Sequence, residues 1–494
     1  MQAALNRRTA VLVLCMALIA AGCRSDDTSP ATTAPTRPPV TDDVGDDPDG
    51  PSDDVDAPVD GSEEPDTPDR TEPPIDDPPD EPEEPDEPDE PDDAAEPIQP
   101  PDEERRPECI GAQDGVLTIG TLLPTTGDHS HLGPPTVTAA LLAVSDVNAA
   151  GGVLGADVVL HSGNSGDITS GVAVEETERL LDLDSDVIIG AVASDVSFTV
   201  IDLITGSCVI QFSPANSWPD FTTYDDDGLY FRTAPSDVLQ GHALAELALE
   251  DGHISASVIF RADQFGTGVA TVFRERFERR GGTIGEFLAY PVDADTPTAQ
   301  LDALAITDSD VIVVVGEEES AAILTAMHER GIGAPDVAVY GVDRNIGRIG
   351  GDVADPLILL GMKGAVPAIP PDDLDAFAAR LDEMGDMGGV YVHAAETYDA
   401  IVITALATLT AGTDDPSAIA IEINGVTRPP GTPCFSFDEC KVLVEAGEDI
   451  DYIGIGGSYE FLPGGEPSAA SYRILEYDGE RTPNPDLDTY VFVS

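Results

Sequence analysis

The chain has 494 residues, more than one ordinary core holds and enough for two lobes with additional segments. It carries 95 acidic against 23 basic residues, a formal charge of −72, and its only lysines are Lys363 and Lys441. A phosphate backbone needs cations opposite it, so this balance excludes nucleic-acid binding through a basic patch.

Arg7 and Arg8 precede "TAVLVLCMALIAA", an apolar run too short for a comfortable membrane span. The run ends in "AAGC", so residues 1–22 read as an export signal. "AAGC" resembles the bacterial lipobox, with Ala20 where that pattern more often has leucine, and the resemblance implies lipidation of Cys23. Residues 23–108 then form an acidic, proline-rich linker containing "PDEPEEPDEPDEPDD". With almost no apolar side chains it cannot offset the entropy of ordering, and like charges extend it, so it reads as a disordered spacer. Beyond Cys15 and Cys23 the cysteines are Cys109, Cys208, Cys434 and Cys440. An even count in an exported chain points to disulfides. Cys434 and Cys440 flank "FSFDE" and close a short loop, which leaves Cys109 with Cys208. No histidine stands at metal-ligand spacing from either pair, so zinc is disfavoured. No metal or cofactor is expected.

From Cys109 onward strands and helices alternate. "GVLTIGTLL" is a strand and "PPTVTAALLAVSDVNAAGG" a helix with a Gly-Gly stop. Strand "ADVVLHSG", helix "SGVAVEETERLLDL", strand "DVIIG", helix "VSFTVIDLIT" and strand "CVIQF" follow. "DGLYFRTAPSD" interrupts the rhythm. A second series then runs through "VLQGHALAELALE", "SASVIF", "TGVATVFRERFERR", "TIGEFLAY", "TAQLDALAI", "DVIVVVG", "SAAILTAMHERG" and "VAVYG". Helix "VYVHAAETYDAIVITALATLTAG" returns to the first lobe, and "SYRILEY" and "TYVFVS" are closing strands. Short, continuous apolar strands separated by helices mark parallel sheets covered on both faces. The fold class is α/β, with two doubly wound parallel-sheet lobes joined by a multi-strand hinge. The first lobe is expected over about 109–233 and 364–455, the second over about 234–363 and 456–494.

Ligands of open parallel sheets bind outside the carboxyl ends of the strands. In the first lobe those ends are "LLPTTGDHSHLG", "GAVASDVS" and "FSPANSWPDF", which offer hydroxyls, backbone N–H groups and helix starts at Ser194, Ser197, Ala215 and Ser217. Such groups suit a carboxylate. In the second lobe they are "IFRADQFGTG", "VVVGEEES" and "YGVDRNIG", which offer Asp263, Glu317, Glu318 and Asp343. Those suit an ammonium. An anion binder facing a cation binder fits an α-amino acid or a close analogue.

At this point the residues resemble a known family. "PTTGDHSHLG" followed by Asn148, Gly151, Gly152 and Gly155 of "VNAAGGVLG" is similar to the opening of type I periplasmic binding proteins, the branched-chain amino-acid branch serving ABC importers. "GAVASDVSFTV", "FSPANSWPDFT" and "ADQFGTG" resemble later segments of that family, and the likeness spans about residues 109–480. It implies that Ser194, Ala215 and Ser217 hold a ligand carboxylate, that Asp343 pairs with its ammonium, and that Phe265 is an aromatic at the cleft rim. Glu317 stands where leucine binders carry an aromatic residue, and His129 and His131 are unusual in the first loop. These departures imply a more polar or basic ligand. The resemblance further implies a lipid-anchored extracytoplasmic protein that captures a small ligand for the permease subunits of an ABC importer. A sensing receptor on the same fold, without transport, is the alternative. An enzyme finds no support in any nucleophile elbow, phosphate loop, His-Glu-x-x-His or dinucleotide fingerprint. An adhesin on an acidic stalk leaves the strand-end chemistry unexplained.

Overall fold

The computed structural model of the protein describes residues 109–111, 113–294, 296–369 and 371–494, without the side chains of 371–373. The export signal, Cys23 and the acidic linker lie outside the described residues.

The first lobe is laid down by β1 (Thr118–Leu123), α1 (Gly133–Ala149), β2 (Val159–Asn164), α2 (Val172–Leu181), β3 (Val187–Gly190), α3 (Ser194–Thr205), β4 (Ile210–Ser213) and β5 (Tyr230–Arg232). Its strands pair in parallel in the order β2-β1-β3-β4-β5. The second lobe follows with α4 (Asp237–Glu250), β6 (Ser255–Arg261), α5 (Gln264–Arg279), β7 (Thr283–Tyr290), α6 (Thr298–Leu304), β8 (Val311–Val315), α7 (Ser320–Glu329), β9 (Ala338–Val342) and β10 (Lys363–Pro367). The chain then returns through α8 (Pro371–Met384), α9 (Ala394–Ala411), α10 (Pro416–Gly425), β11 (Thr432–Cys434), α11 (Phe437–Glu445), β12 (Ile450–Gly454) and β13 (Gly457–Ser458). It ends in β14 (Ala470–Glu476) and β15 (Thr489–Val493), which complete the second sheet, ordered β15-β14-β10-β9-β8-β6-β7. Only β14 is reversed there, pairing antiparallel with both β10 and β15.

Strands β1, β3 and β8 are buried at every position, as continuous apolar runs between two helical layers must be. Helix α9 is apolar almost all round and packs against α1 and α10 in the first lobe's core. The Asn148 side chain clasps the end of α1 to the approach of β2, accepting the Val158 N–H (2.7 Å) and donating to its carbonyl (3.0 Å). Gly152, at φ 63°, lies so close to the Ala156 carbonyl that a Cβ would sit 1.9 Å from its oxygen. The family-like Asn and Gly residues of this segment thus serve the turn between helix and strand.

Three boundaries differ from expectation. "YFR" is not an interruption but the fifth strand of the first sheet, a short one that buries an arginine. Helix α9 begins at Ala394 rather than at Val390, because His393 stands before it in the left-handed region, at φ 61°. Residues 364–367 belong to the second sheet, 363–365 pairing with β9 and 363–367 with β14, while Tyr459 and Phe461 pack into the first lobe's core. The lobes therefore exchange chain after about residue 367 and again just before β14.

Both expected disulfides, Cys109–Cys208 and Cys434–Cys440, are formed. The first closes a separation of 99 residues, ties the entry of the folded part to the α3–β4 connection, and lies beside Ser417 of α10. Restricting so long a loop in the unfolded chain gives a stabilisation of about 2–5 kcal/mol. Replacing Cys109 and Cys208 together by serine is expected to lower the unfolding free energy by that amount, measured by denaturant titration, with ligand affinity unchanged.

Candidate functional site

Topology fixes which ends of the sheets meet. Strand β5 leaves the first lobe from its carboxyl end, and β10 leaves the second lobe from its own. All the parallel strands of each sheet point the same way, so the carboxyl ends of both sheets face the cleft.

On the first wall, Ser213 is fully buried at the end of β4. Its Oγ accepts the N–H of Ala215 (3.2 Å) and Asn216 (3.0 Å) and donates to the Ala191 carbonyl (2.8 Å). Asn216 donates to the carbonyls of Ala191 (3.2 Å) and Val192 (3.1 Å) and accepts from the Tyr230 hydroxyl (2.9 Å). These bonds lock "SPANS" against "GAVAS" and bring two expected residues together, the Ser217 N–H reaching Ser194 Oγ at 3.4 Å. Ala215 departs from its expected role: its N–H is used within the turn, so it supplies shape rather than a donor. Ser194 opens α3, whose N-cap Ala193 contributes no side-chain acceptor. The positive end of the helix adds to the two hydroxyls as an anion-favouring set, although Asp195 already accepts the Val196 N–H (2.8 Å). Trp218 packs in an aromatic cluster, 5.7 Å from Phe198.

On the second wall, Arg261, Glu317 and Arg344 form a row across the ends of β6, β8 and β9. Glu317 takes both guanidiniums, that of Arg344 at 2.8 Å and that of Arg261 in a close ion pair. Burial alone would push its pKa up, but hydrogen bonds and charge from Arg344 and Arg261 outweigh this and hold it below the usual range. A carboxylate shared by two arginines is not free to select a basic side chain, which corrects the expectation for Glu317. Phe265 is corrected as well. It is 2% exposed within the second core, with the Arg344 guanidinium 3.9 Å above its ring, rather than at an open rim. Asp263 caps α5 by accepting the Gly266 N–H (2.8 Å) and pairs with Arg261 (2.8 Å).

The floor of the cleft holds a residue that sequence reading missed. Asp237 starts α4 in the first crossover, is 3% exposed, and donates its backbone N–H to the Ser217 carbonyl (2.8 Å). Its carboxyl is held well above the carboxylate range, first by burial and then by the charge of Asp343, against smaller opposing effects from Arg344, Arg232 and the Ser217 hydroxyl. Asp237 thus links Ser217 of one lobe to Asp343 of the other. Three buried polar atoms here have no partner among the described residues: Asp237 Oδ2, Asp343 Oδ1 and the hydroxyl of Tyr472. A "Ser-Asp" pair before a helix reads as ordinary capping, so only the proximity of Asp343 reveals the site.

A separate pocket of about 440 Å³ lies among the crossovers, lined by Thr233, Pro235, Pro367, Glu396, Tyr459 and Ser471 among others. None of the expected ligand residues lines it. His129 and His131 are exposed on the loop after β1. Among the described residues no group of three or more His, Cys, Asp or Glu is placed to hold a metal ion, and no helix is long and apolar enough to cross a membrane.

Comparison with known proteins agrees with this architecture. A family model described as "Periplasmic binding protein" matches residues 116–440. The chain is 25% identical over 335 residues to the leucine-, isoleucine-, valine-, threonine- and alanine-binding protein of Pseudomonas aeruginosa, covering 66% of this chain and 86% of that one. It is 26% identical over 336 residues to a Leu/Ile/Val/Thr-binding protein of Salmonella typhimurium, covering 66% and 87%. Among solved structures, a branched-chain amino acid ABC transporter periplasmic ligand-binding protein of Burkholderia xenovorans superposes with a TM-score of 0.60 at 19% identity, covering 76% of this chain and 94% of that one. A leucine-binding protein of Thermotoga maritima gives 0.55 at 20%, covering 77% and 98%. At such identities the solved structures establish the fold alone. Two facing parallel-sheet lobes and a family match across most of the folded part lead to one assignment: the chain belongs to the periplasmic binding protein family, as a solute-binding protein and not an enzyme.

Proposed function

We propose that the protein captures a zwitterionic α-amino acid, or a close analogue, between its lobes and delivers it to the permease of an ABC importer while anchored to the outer face of a membrane through Cys23. The observation that carries this reading is the set of unpartnered buried atoms on Asp237, Asp343 and Tyr472. Leaving acceptors buried and unpaired costs about 1–3 kcal/mol each, and a ligand ammonium satisfies them. The carboxylate then meets Ser194, Ser217 and the start of α3 on the opposite wall. Each crossover carries a proline, Pro235, Pro367 or Pro467, which restricts the path along which the lobes close. The amino-acid specificity of the named relatives supports the ligand class. The apolar run before Cys23 supports export and anchoring, and radiolabelled lipid incorporation that survives in the wild type and disappears in Cys23→Ala tests that part.

The ligand class is tested by a thermal-shift screen of the full mature chain against the common amino acids. A ligand at about a hundred times its Kd adds roughly 2.7 kcal/mol to the folded state, so a clear rise in Tm with at least one amino acid is expected. A flat response across all of them contradicts the reading.

Asp237 also makes binding proton-linked. Burial and the charge of Asp343 lift its pKa from 3.8 to about 8 in the empty protein. An ammonium needs it ionised, so capture at about pH 6 releases close to one proton, and affinity rises with pH by up to about tenfold per unit until the raised value is passed. The sign for stability is the reverse. The empty protein keeps a proton that the unfolded chain gives up, so this contribution to stability is complete below the unfolded pKa and is lost as pH climbs through the folded one. Calorimetry in buffers of different ionisation enthalpy measures the released proton, and an enthalpy independent of buffer excludes the linkage.

A further inference from the structure

The second wall does more than neutralise itself. Arg261 is surrounded by Asp263 (2.8 Å), Glu317 and, more distantly, Glu319 (3.7 Å), and its side chain is 18% exposed. Among the described residues Arg344 has one acidic partner, Glu317, engaged through Nη1, and its side chain is 28% exposed. A guanidinium has five donors in a planar fork. Arg344 therefore keeps donors to spare, held in place by Glu317 on one side and by the Phe265 ring beneath it. Arg344 directly follows Asp343 in the chain and its charge acts on Asp237, so it adjoins the proposed ammonium subsite.

We infer that Arg344 determines specificity by receiving an oxygen acceptor at the far end of the ligand side chain, a carboxylate or a carboxamide, so that the protein selects acidic or amide amino acids over branched aliphatic ones. This rests on the amino-acid reading above. An aliphatic side chain laid on Arg344 and Glu317 would strip water from both charges and return no hydrogen bond. A planar oxygen acceptor meets the fork directly, and a carboxamide adds an N–H₂ that can face Glu317. A basic side chain finds Glu317 already shared and two arginines opposing it.

The test is calorimetry of the full mature chain with leucine, glutamine and glutamate, in the wild type, Arg344→Met and Arg344→Lys. Methionine keeps an apolar cover over Phe265 and removes the donors. Hydrogen bonds to a charged donor correspond to an affinity loss of about 10- to 100-fold when removed. Glutamine or glutamate is expected to bind wild type more tightly than leucine does, to lose that factor in Arg344→Met, and to recover part of it in Arg344→Lys, while leucine affinity stays level or rises. Preference for glutamate over glutamine assigns the carboxylate, and the converse assigns the carboxamide. Leucine binding wild type as tightly as either overturns the inference and leaves the amino-acid reading intact. Equal losses for all three ligands in Arg344→Met also overturn it, since they mark a residue that only supports the wall. Absence of binding by any amino acid in wild type overturns the amino-acid reading, and the inference with it.

Discussion

Asp343→Ala is expected to weaken amino-acid binding by about 2–5 kcal/mol, on the order of thirtyfold to a few thousandfold in Kd. The ammonium would lose the carboxylate contributed by the second lobe, and with it the contact that joins the lobes through the ligand. The empty protein should respond in the opposite sense. Asp343 carries a buried oxygen without a partner and raises the pKa of Asp237. Removing it relieves that repulsion, so the melting temperature without ligand should stay level or rise. A residue present for stability behaves differently, because its loss lowers both quantities. Titration calorimetry and thermal melts on the same variant separate the two. Unchanged affinity, or a fall in melting temperature that matches the loss of affinity, would place the ammonium site elsewhere.

The second large effect concerns Arg232, which is fully buried where β5 leaves the first lobe. It pairs closely with Glu466 and donates to the carbonyls of Asn216 (3.2 Å) and Trp218 (2.8 Å). The Arg232 N–H also donates to the Gly465 carbonyl (2.8 Å), so one residue ties the edge strand to the loop that precedes β14 and to the "SPANSW" turn. Arg232→Met leaves the Glu466 carboxylate buried without a counter-charge, held only by the Thr222 hydroxyl (2.9 Å), at a cost of about 3–5 kcal/mol in stability. Arg232→Met combined with Glu466→Leu removes both charges and should regain most of that loss. Denaturant unfolding of the two variants measures this. A single variant within about 1 kcal/mol of wild type would show that the pair does not hold the crossover.

Much of this architecture was legible because parallel-sheet strands are plain apolar runs. "VIVVV" of β8 can hardly be anything else when helices flank it on both sides. The first wall was legible for a related reason: "SPANS" ends a buried strand in polar groups that need partners, and Ser194 and Ser217 do come together. Strand β5 was hidden, because it spans three residues and contains a charge that only Glu466, 234 residues away, makes bearable in the core. The second wall was partly misread for the same physical reason. Glu317 looks like a free cation binder in one dimension, and its two arginine partners lie 56 and 27 residues away. Asp237 was hidden by its own local grammar, since an acidic residue in the first turn of a helix needs no further explanation. Whether a polar group is satisfied is a property of the fold, which is why the unpartnered oxygens of Asp237 and Asp343 are not visible in the sequence.

The central claim is that one ligand carries an ammonium to Asp237 and Asp343 and a carboxylate to Ser194 and Ser217. The most direct measurement is calorimetry of the full mature chain with three compounds: the amino acid giving the largest thermal shift, the same skeleton lacking its amino group, and the same skeleton lacking its carboxyl group. The intact amino acid is predicted to bind, and each half-molecule to bind weaker by about 2–5 kcal/mol, since each leaves one wall of the cleft unpaired. If the molecule without the amino group binds as tightly as the amino acid, Asp237 and Asp343 do not receive an ammonium and the account of the cleft is wrong.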